Sequence, residues 1–211
     1  MNQSIDFISA VIPFAIVLLS LTIHEAAHAW TAYRLGDPTA KMLGRISLNP
    51  LVHIDPIGTI VLPLIAAFSN LPIIGWAKPV PVDIRRLGDP RRDFMLVAAA
   101  GPISNLLQAA VMAVLFHVLP LENLDLWNLR WPAVFRLAAD INIMLAVFNM
   151  IPVPPLDGGN VLAGLLPRNA AAVFETMRPY GFLILYALMF TGVLNQLIVP
   201  PSDFLMELLG L

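Results

Sequence analysis

The pentapeptide His24-Glu25-Ala26-Ala27-His28 lies inside a long apolar stretch that runs from Phe7 to Tyr33. At a helical rise of about 1.5 Å per residue, this stretch is long enough to cross a bilayer. Residues four apart share a helix face, so His24 and His28 can offer imidazoles to one metal ion, while Glu25 lies at the flank as a general base. Ionisable groups inside a span cost about 3 kcal/mol or more each unless they are paired or functional. The stretch therefore predicts a metal-binding transmembrane helix; two unrelated, hydrogen-bonded histidines are the alternative.

Composition assigns the chain to the integral membrane proteins. Hydrophobic residues make up 58% of the 211 positions and charged residues 12%, about half the charge of a soluble domain. No long polar region is left for a soluble unit, so residues 1–211 are predicted to form one membrane-embedded domain. Because cysteine is absent, His, Asp and Glu must hold any metal. The net charge of −2 and the lack of a basic stripe argue against nucleic acid as a partner.

Hydropathy predicts an all-α polytopic membrane protein with four long transmembrane helices. The full-length candidates are residues 7–33, 94–119, 133–151 and 180–199, and a shorter apolar segment covers residues 57–75. After the third span comes a Pro/Gly-rich break, and a short helix is predicted at residues 159–166, before Pro167.

The distribution of basic residues predicts the orientation. Cytosolic loops carry an excess of Lys and Arg, and ten of the twelve fall in three loops: Arg34, Lys41, Arg45, Lys78, Arg85, Arg86, Arg91, Arg92, Arg168 and Arg178. Both termini are then outside the cell. Since basic loops flank both ends of segment 57–75, that segment is predicted to be re-entrant, with a short fifth span as the alternative.

A zinc ion that works in catalysis needs a third protein ligand and an open position for water. The best candidate is Asp157, which follows three prolines and precedes two glycines at the cytosolic end of the third span. The glycines are expected to allow close packing against the first helix. From this segment alone, a solvated Asp in a Pro/Gly turn is an equally good interpretation.

Several motifs together resemble the site-2 protease family of intramembrane zinc metallopeptidases, in its compact branch without PDZ or CBS modules. The two central motifs are His24-Glu25-Ala26-Ala27-His28 and Asn149-x-x-Pro152-x-Pro154-x-Leu156-Asp157-Gly158. Further matches are Ala100-Gly101-Pro102-Ile103-Ser104-Asn105, Gly36-Asp37-Pro38, Gly44-Arg45, Leu48-Asn49-Pro50, His53-Ile54-Asp55-Pro56 and Trp76-Ala77-Lys78-Pro79-Val80.

The resemblance implies a zinc-dependent endopeptidase that cleaves membrane proteins within or next to their transmembrane segments. It implies one Zn²⁺ per chain held by His24, His28 and Asp157, with Glu25 as catalytic acid and base. It also implies that Asn149 lies near the substrate carbonyl, where its amide would stabilise developing negative charge.

Two further predictions concern substrate binding. Asn142 lies two turns before Asn149 on the same helix face, so it either shares that role or makes an interhelical hydrogen bond. Residues 76–84 alternate in a way that suits an edge strand: Pro79 and Pro81 lack N–H donors, while Val80 and Val82 can pair with an unwound substrate. A proline-stiffened loop is the alternative.

A non-proteolytic zinc-binding transporter or scaffold is the competing class of function. A transporter would need polar groups through both leaflets, whereas the strongest polar cluster here lies in the predicted cytosolic half. We therefore expect a multi-pass protease of the cell membrane with its active site toward the cytosol. Its expected partners are the lipid bilayer and a membrane-protein substrate, and a homo-oligomer is left open.

Overall fold

The computed structural model describes residues 7–69, 75–119 and 130–211, and these residues are helical without any strand. The helices are α1 (Phe7–Arg34), α2 (Thr39–Met42), α3 (Leu62–Ser69), α4 (Pro90–Val118), α5 (Trp131–Asn149), α6 (Asp157–Leu165), α7 (Arg168–Glu175), α8 (Gly181–Phe190) and α9 (Val193–Leu208). Short 3₁₀ turns cover Pro50–Val52, Ile84–Arg86 and Arg178–Tyr180, and a π-helical turn covers Pro56–Val61. The all-helical prediction is confirmed.

Among the residues that the structure describes, three helices are long and apolar enough to cross a membrane: Val11–Arg34, Pro90–Val118 and Trp131–Asn149. Of these, α4 is the central one, because it packs against α1, α5 and α6. Half of its buried positions are alanine or glycine, including Ala98, Gly101 and Ala109. Small residues let helix backbones approach closely where no hydrophobic effect drives association. This contact places α4 directly behind the histidine-bearing face of α1.

The fourth predicted span, residues 180–199, is not one straight helix. Helix α8 ends at Phe190, Gly192 takes the left-handed conformation with φ +76°, and α9 leaves at an angle of 78°. Glycine adopts that conformation without the steric penalty that other residues meet. The pair Arg178–Phe190 and Val193–Leu208 is apolar enough for one broken span or a re-entrant turn, so the described chain has three to four spans.

The apolar segment at residues 57–75 starts and ends at the same level. The Trp76 N–H donates to the Gly58 carbonyl at 3.2 Å, and Thr59 Oγ1 donates to the Trp76 carbonyl at 2.9 Å. A crossing would place the two ends about 30 Å apart. Residues 70–74 lie outside the described part of the chain, but the contact between the two ends favours the re-entrant interpretation.

A tight turn joins α5 to α6 and presents Asp157 as the first residue of α6. A Cβ on Gly158 would overlap the Met150 carbonyl, and one on Gly159 would lie 2.9 Å from Pro154 N. The glycines thus pack against their own turn, which corrects the expectation that they face the first helix. The short helix predicted at 159–166 is confirmed, although it begins two residues earlier.

The re-entrant interpretation makes a labelling prediction, because the chain contains no native cysteine. Single cysteines at the exposed positions Lys41 and Arg85 should react with a membrane-impermeant maleimide from one side, and one at Arg130 from the other. A fifth span would instead place residues 41 and 85 on opposite sides. Labelling of intact cells and of inverted vesicles separates the two outcomes.

Candidate metal centre

His24 and His28 meet Asp157 inside the helical bundle. Both imidazoles are buried, and their Nε2 atoms lie 3.0 Å apart. Asp157 Oδ2 lies 3.1 Å from His24 Nε2 and 3.3 Å from His28 Nε2. Among the described residues, these three form the group whose ligand atoms could converge on a metal ion. The structure therefore brings together the two distant parts of the sequence that carry the predicted ligands.

The other ring nitrogen of each histidine faces an oxygen that accepts a hydrogen bond. His24 Nδ1 lies 2.6 Å from Asn105 Oδ1, and His28 Nδ1 lies 2.7 Å from the Val97 carbonyl. Each Nδ1 must then carry the proton, because a carbonyl oxygen can only accept. Both Nε2 atoms are left with lone pairs that point into the gap toward Asp157.

This donor set fits zinc. Two nitrogen lone pairs and a carboxylate oxygen within 3.0–3.3 Å of one another repel in a low-dielectric site unless a cation lies between them. Zn–N bonds of about 2.0–2.1 Å in a tetrahedron separate ligand atoms by roughly 3.3 Å, which matches this spacing. Three protein ligands also leave one position open, as in catalytic zinc sites.

Gly101 of α4 forms the wall behind the two imidazoles. A Cβ placed there would lie 2.5 Å from His24 Nε2 and would overlap His28 Nε2 as well. Gly101 and Asn105 belong to one of the sequence motifs, but the sequence does not predict their contact with the histidines. The signal for this contact was the coincidence of Gly and a polar Asn, four residues apart, inside an apolar span.

Glu25 is half-buried beside His24, and its side chain makes no hydrogen bond to a described residue. Asn149 is also half-buried, and its Nδ2 donates to the Leu145 carbonyl of its own helix at 2.9 Å. The predicted contact of Asn149 with a substrate carbonyl therefore stays a prediction. Asn142 is buried and hydrogen-bonded to α1 and α4, which matches its interhelical alternative.

The segment that contains Val80 and Val82 has no regular secondary structure. Both valines are half-buried, and their backbone N–H groups have no partner among the described residues. Lys78 of the same segment is held at both backbone groups: its N–H donates to the His53 carbonyl at 2.9 Å, and Arg45 donates to its carbonyl. The edge strand predicted for this segment requires a substrate and stays a prediction.

Arg45 is a buried cation in the segment between α2 and α3. Its side chain is 5% exposed, and its Nη2 also lies 3.4 Å from His53 Nδ1. Burial lowers the pKa of the Arg45 guanidinium, while the negative charge of Glu25 acts in the opposite direction. A positive charge thus lies within electrostatic range of the predicted general base.

Comparison with known proteins gives one family. The model of the family described as "Peptidase family M50" matches residues 117–192, which include α5, α6 and Asp157. "Putative zinc metalloprotease YwhC" of Bacillus subtilis is 36% identical over 205 residues, covering 95% of this chain and 90% of that protein. "Putative zinc metalloprotease Rip2" of Mycolicibacterium smegmatis is 31% identical over 180 residues, covering 85% of this chain and 66% of that protein. No solved structure matches the chain.

The wall at Gly101 makes a prediction about metal content. Gly101→Ala should displace both imidazoles, because their Nδ1 hydrogen bonds leave them no room to turn away. The purified variant should therefore lose most of its zinc. Ser104→Ala is the matched control, since Ser104 Oγ on the same helix donates to the Gly101 carbonyl and not to a histidine. Full metal occupancy in Gly101→Ala would contradict the proposed wall.

Proposed function

The chain belongs to peptidase family M50, a family of zinc metalloproteases, and we propose that it is an intramembrane endopeptidase. In this proposal residues 1–211 act as one membrane-embedded domain. It hydrolyses peptide bonds within or next to the transmembrane segments of membrane-protein substrates. The observation that carries the proposal is the cluster of His24, His28 and Asp157, with Glu25 beside it, among apolar helices.

The depth of the cluster supports cleavage inside the bilayer. His24 and His28 lie ten and six residues before Arg34, the last residue of α1. At 1.5 Å per residue this is roughly 9 to 15 Å from the helix end. Arg34 lies 5.4 Å from the Trp30 ring, and such cation–aromatic pairs are common at the membrane interface. A substrate bond that reaches the site would therefore lie below the membrane surface.

Each residue has a distinct role in the proposed reaction. His24, His28 and Asp157 would hold one zinc ion, which when bound would polarise the scissile carbonyl and acidify a water molecule. Glu25 accepts the proton of the attacking water and delivers it to the leaving amine nitrogen. Asn149 has a second N–H with which it can donate to the carbonyl oxygen as negative charge develops there.

A helical substrate must be unwound before a peptide bond becomes accessible, since a helix holds its peptide groups in internal hydrogen bonds. We propose that Val80 and Val82 pair with the unwound substrate as an edge strand. This is supported by the absence of helical structure at residues 75–83, by the fixation of Lys78, and by the Asp83 N–H, which donates to Asp37 Oδ2 at 2.7 Å. The segment is thus anchored at both ends, with its middle unpaired.

The basic loops at residues 34–45 and 78–92 support an active site open to the cytosol, in a multi-pass protein of the cell membrane. The active-site end of α1 is the end next to these loops. A bound substrate would approach from the bilayer, with its unwound part near the cytosolic surface.

Metal binding and chemistry are separable at this site. Glu25→Gln is nearly isosteric and leaves the three candidate ligands intact, so it should keep about one zinc per chain while hydrolysis falls by about 10² to 10⁴. Asp157→Ala should lose both zinc and activity, because one of three protein ligands is missing. Metal analysis and cleavage of a model transmembrane substrate are measured on the same preparations. Cleavage by Glu25→Gln at the wild-type rate would refute the protease assignment.

The edge-strand proposal has its own test. Val80→Pro removes one backbone N–H and should abolish cleavage while zinc content stays unchanged. Val80→Ala is the matched control, because it shortens the side chain and keeps the N–H. Equal activity in the two variants would exclude backbone pairing at residue 80.

A further inference from the structure

A continuous chain of hydrogen bonds runs from the His24 imidazole to a backbone carbonyl of α5. His24 Nδ1 bonds Asn105 Oδ1 of α4 at 2.6 Å, and Asn105 Nδ2 donates to Asn142 Oδ1 of α5 at 2.9 Å. Asn142 Nδ2 then donates to the Ala138 carbonyl at 2.9 Å and to Ser20 Oγ of α1 at 2.9 Å. The chain therefore joins three membrane-spanning helices at one depth.

The donor and acceptor of every hydrogen bond in this series follow from its last acceptor, the Ala138 carbonyl. The Ala138 carbonyl cannot donate, so Asn142 must turn its NH₂ group toward it and its oxygen toward Asn105. Asn105 must in turn present its NH₂ group to Asn142 and its oxygen to His24. His24 is then required to carry its proton on Nδ1, which leaves Nε2 as the nitrogen that faces the metal position.

Burial makes this order strict. Asn105 is 0% exposed and Asn142 and Ser20 are each 2% exposed, so water cannot replace a missing partner. If the Asn105 amide turned over, its NH₂ group would face His24 and its oxygen would face the Asn142 oxygen. That orientation would leave buried polar groups unpaired. It would also favour the His24 tautomer with the proton on Nε2, which cannot bind a metal through that nitrogen.

We propose that Asn105 and Asn142 are positioning residues that hold His24 in its Nδ1–H tautomer and thereby set the zinc affinity of the site. This inference rests on the proposed zinc-binding function. It differs from a packing role, because a packing role requires only that the helices are held together. Here Asn142, which contacts His24 only through Asn105, determines which nitrogen of the His24 ring is unprotonated.

The two ligand histidines differ in this respect. His28 Nδ1 faces the Val97 carbonyl directly, so a backbone group fixes its tautomer and no side-chain substitution can remove the acceptor. His24 depends on two amide side chains. Zinc affinity should therefore respond to residue 142 through His24 and leave the state of His28 unchanged.

The first experiment measures zinc affinity of the full-length protein in detergent by competition with a chromogenic chelator. Asn142→Leu keeps the side-chain size but removes the oxygen that orients Asn105, so zinc should bind roughly 10- to 100-fold more weakly, the usual cost of losing an outer-shell partner. Gln108→Leu is the matched control: it makes the same kind of amide-to-leucine change on α4, one turn after Asn105, where Gln108 Nε2 has no hydrogen-bond partner among the described residues. It should bind zinc like the wild type.

Ser20→Ala should weaken zinc binding less than Asn142→Leu does. Asn142 loses one acceptor in this variant but keeps the Ala138 carbonyl, so its orientation and the zinc affinity should be nearly retained. If Ser20→Ala weakens zinc binding as much as Asn142→Leu does, the order of the chain has no special role and the proposal fails. It fails equally if Gln108→Leu has the same effect as Asn142→Leu.

The second experiment observes the tautomer itself. In metal-free protein with ¹⁵N-labelled histidine rings, at a pH high enough to keep both imidazoles neutral, His24 should show a protonated Nδ1 in the wild type and a mixture of tautomers in Asn142→Leu, while His28 stays unchanged. Asn105→Ala removes the oxygen that accepts from His24 Nδ1, so it should also give a mixture of His24 tautomers. It replaces Asn142→Leu in the test if that variant does not fold. An unchanged His24 tautomer in both variants would overturn the proposal. Neither zinc affinity nor the tautomer measurement needs proteolysis, so both can be read without a substrate. If the wild type binds no zinc, the proposed function itself is refuted.

Discussion

The central constraint on the structure is that three electron-pair donors, which repel one another, are held together inside an apolar bundle. His24 Nε2, His28 Nε2 and Asp157 Oδ2 lie within 3.0–3.3 Å of one another, an arrangement that is favourable only with a cation among them. The surrounding packing prevents the three groups from moving apart. Gly101 brings α4 against both imidazoles, and the turn before α6 fixes the start of the helix that carries Asp157.

The site has a rigid half and an open half. Helices α1, α4 and α5 form the rigid half, where His24, His28 and their hydrogen-bond partners are buried. Asp157, which is half-buried, reaches the histidines from α6. The open half contains Glu25 and residues 78–83, which include Val80 and Val82. These three side chains are half-buried, and the groups that would act on a substrate have no hydrogen-bond partner in the part of the chain that the structure describes. This division suits a protease: the metal position is fixed in advance, whereas the substrate supplies the missing contacts on the other side.

Sequence predicted those features that depend on short-range spacing. The helical spacing of His24 and His28 and the proline break before Asp157 identified the three candidate ligands, and hydropathy located α1, α4 and α5. The break at Gly192 was missed because a single glycine in an apolar run is compatible with a continuous transmembrane helix. The contact of Asn105 with His24 was missed for another reason: the two residues are 81 positions apart, and only the packing of α4 against α1 brings them together.

The lipid environment explains why a hydrogen-bonded chain of amides is suited to orienting a metal ligand here. In a water-filled site, a water molecule could hydrogen-bond to either the oxygen or the NH₂ group of an asparagine amide. The orientation of the amide would then not determine the orientation of the next group. At membrane depth each unsatisfied donor or acceptor is costly, so a carbonyl that can only accept determines the orientation of the next group. The Ala138 carbonyl on α5 can thus influence an imidazole on α1, although the two groups do not touch. The same physical condition that makes ionisable residues rare in spans therefore makes their surroundings highly ordered.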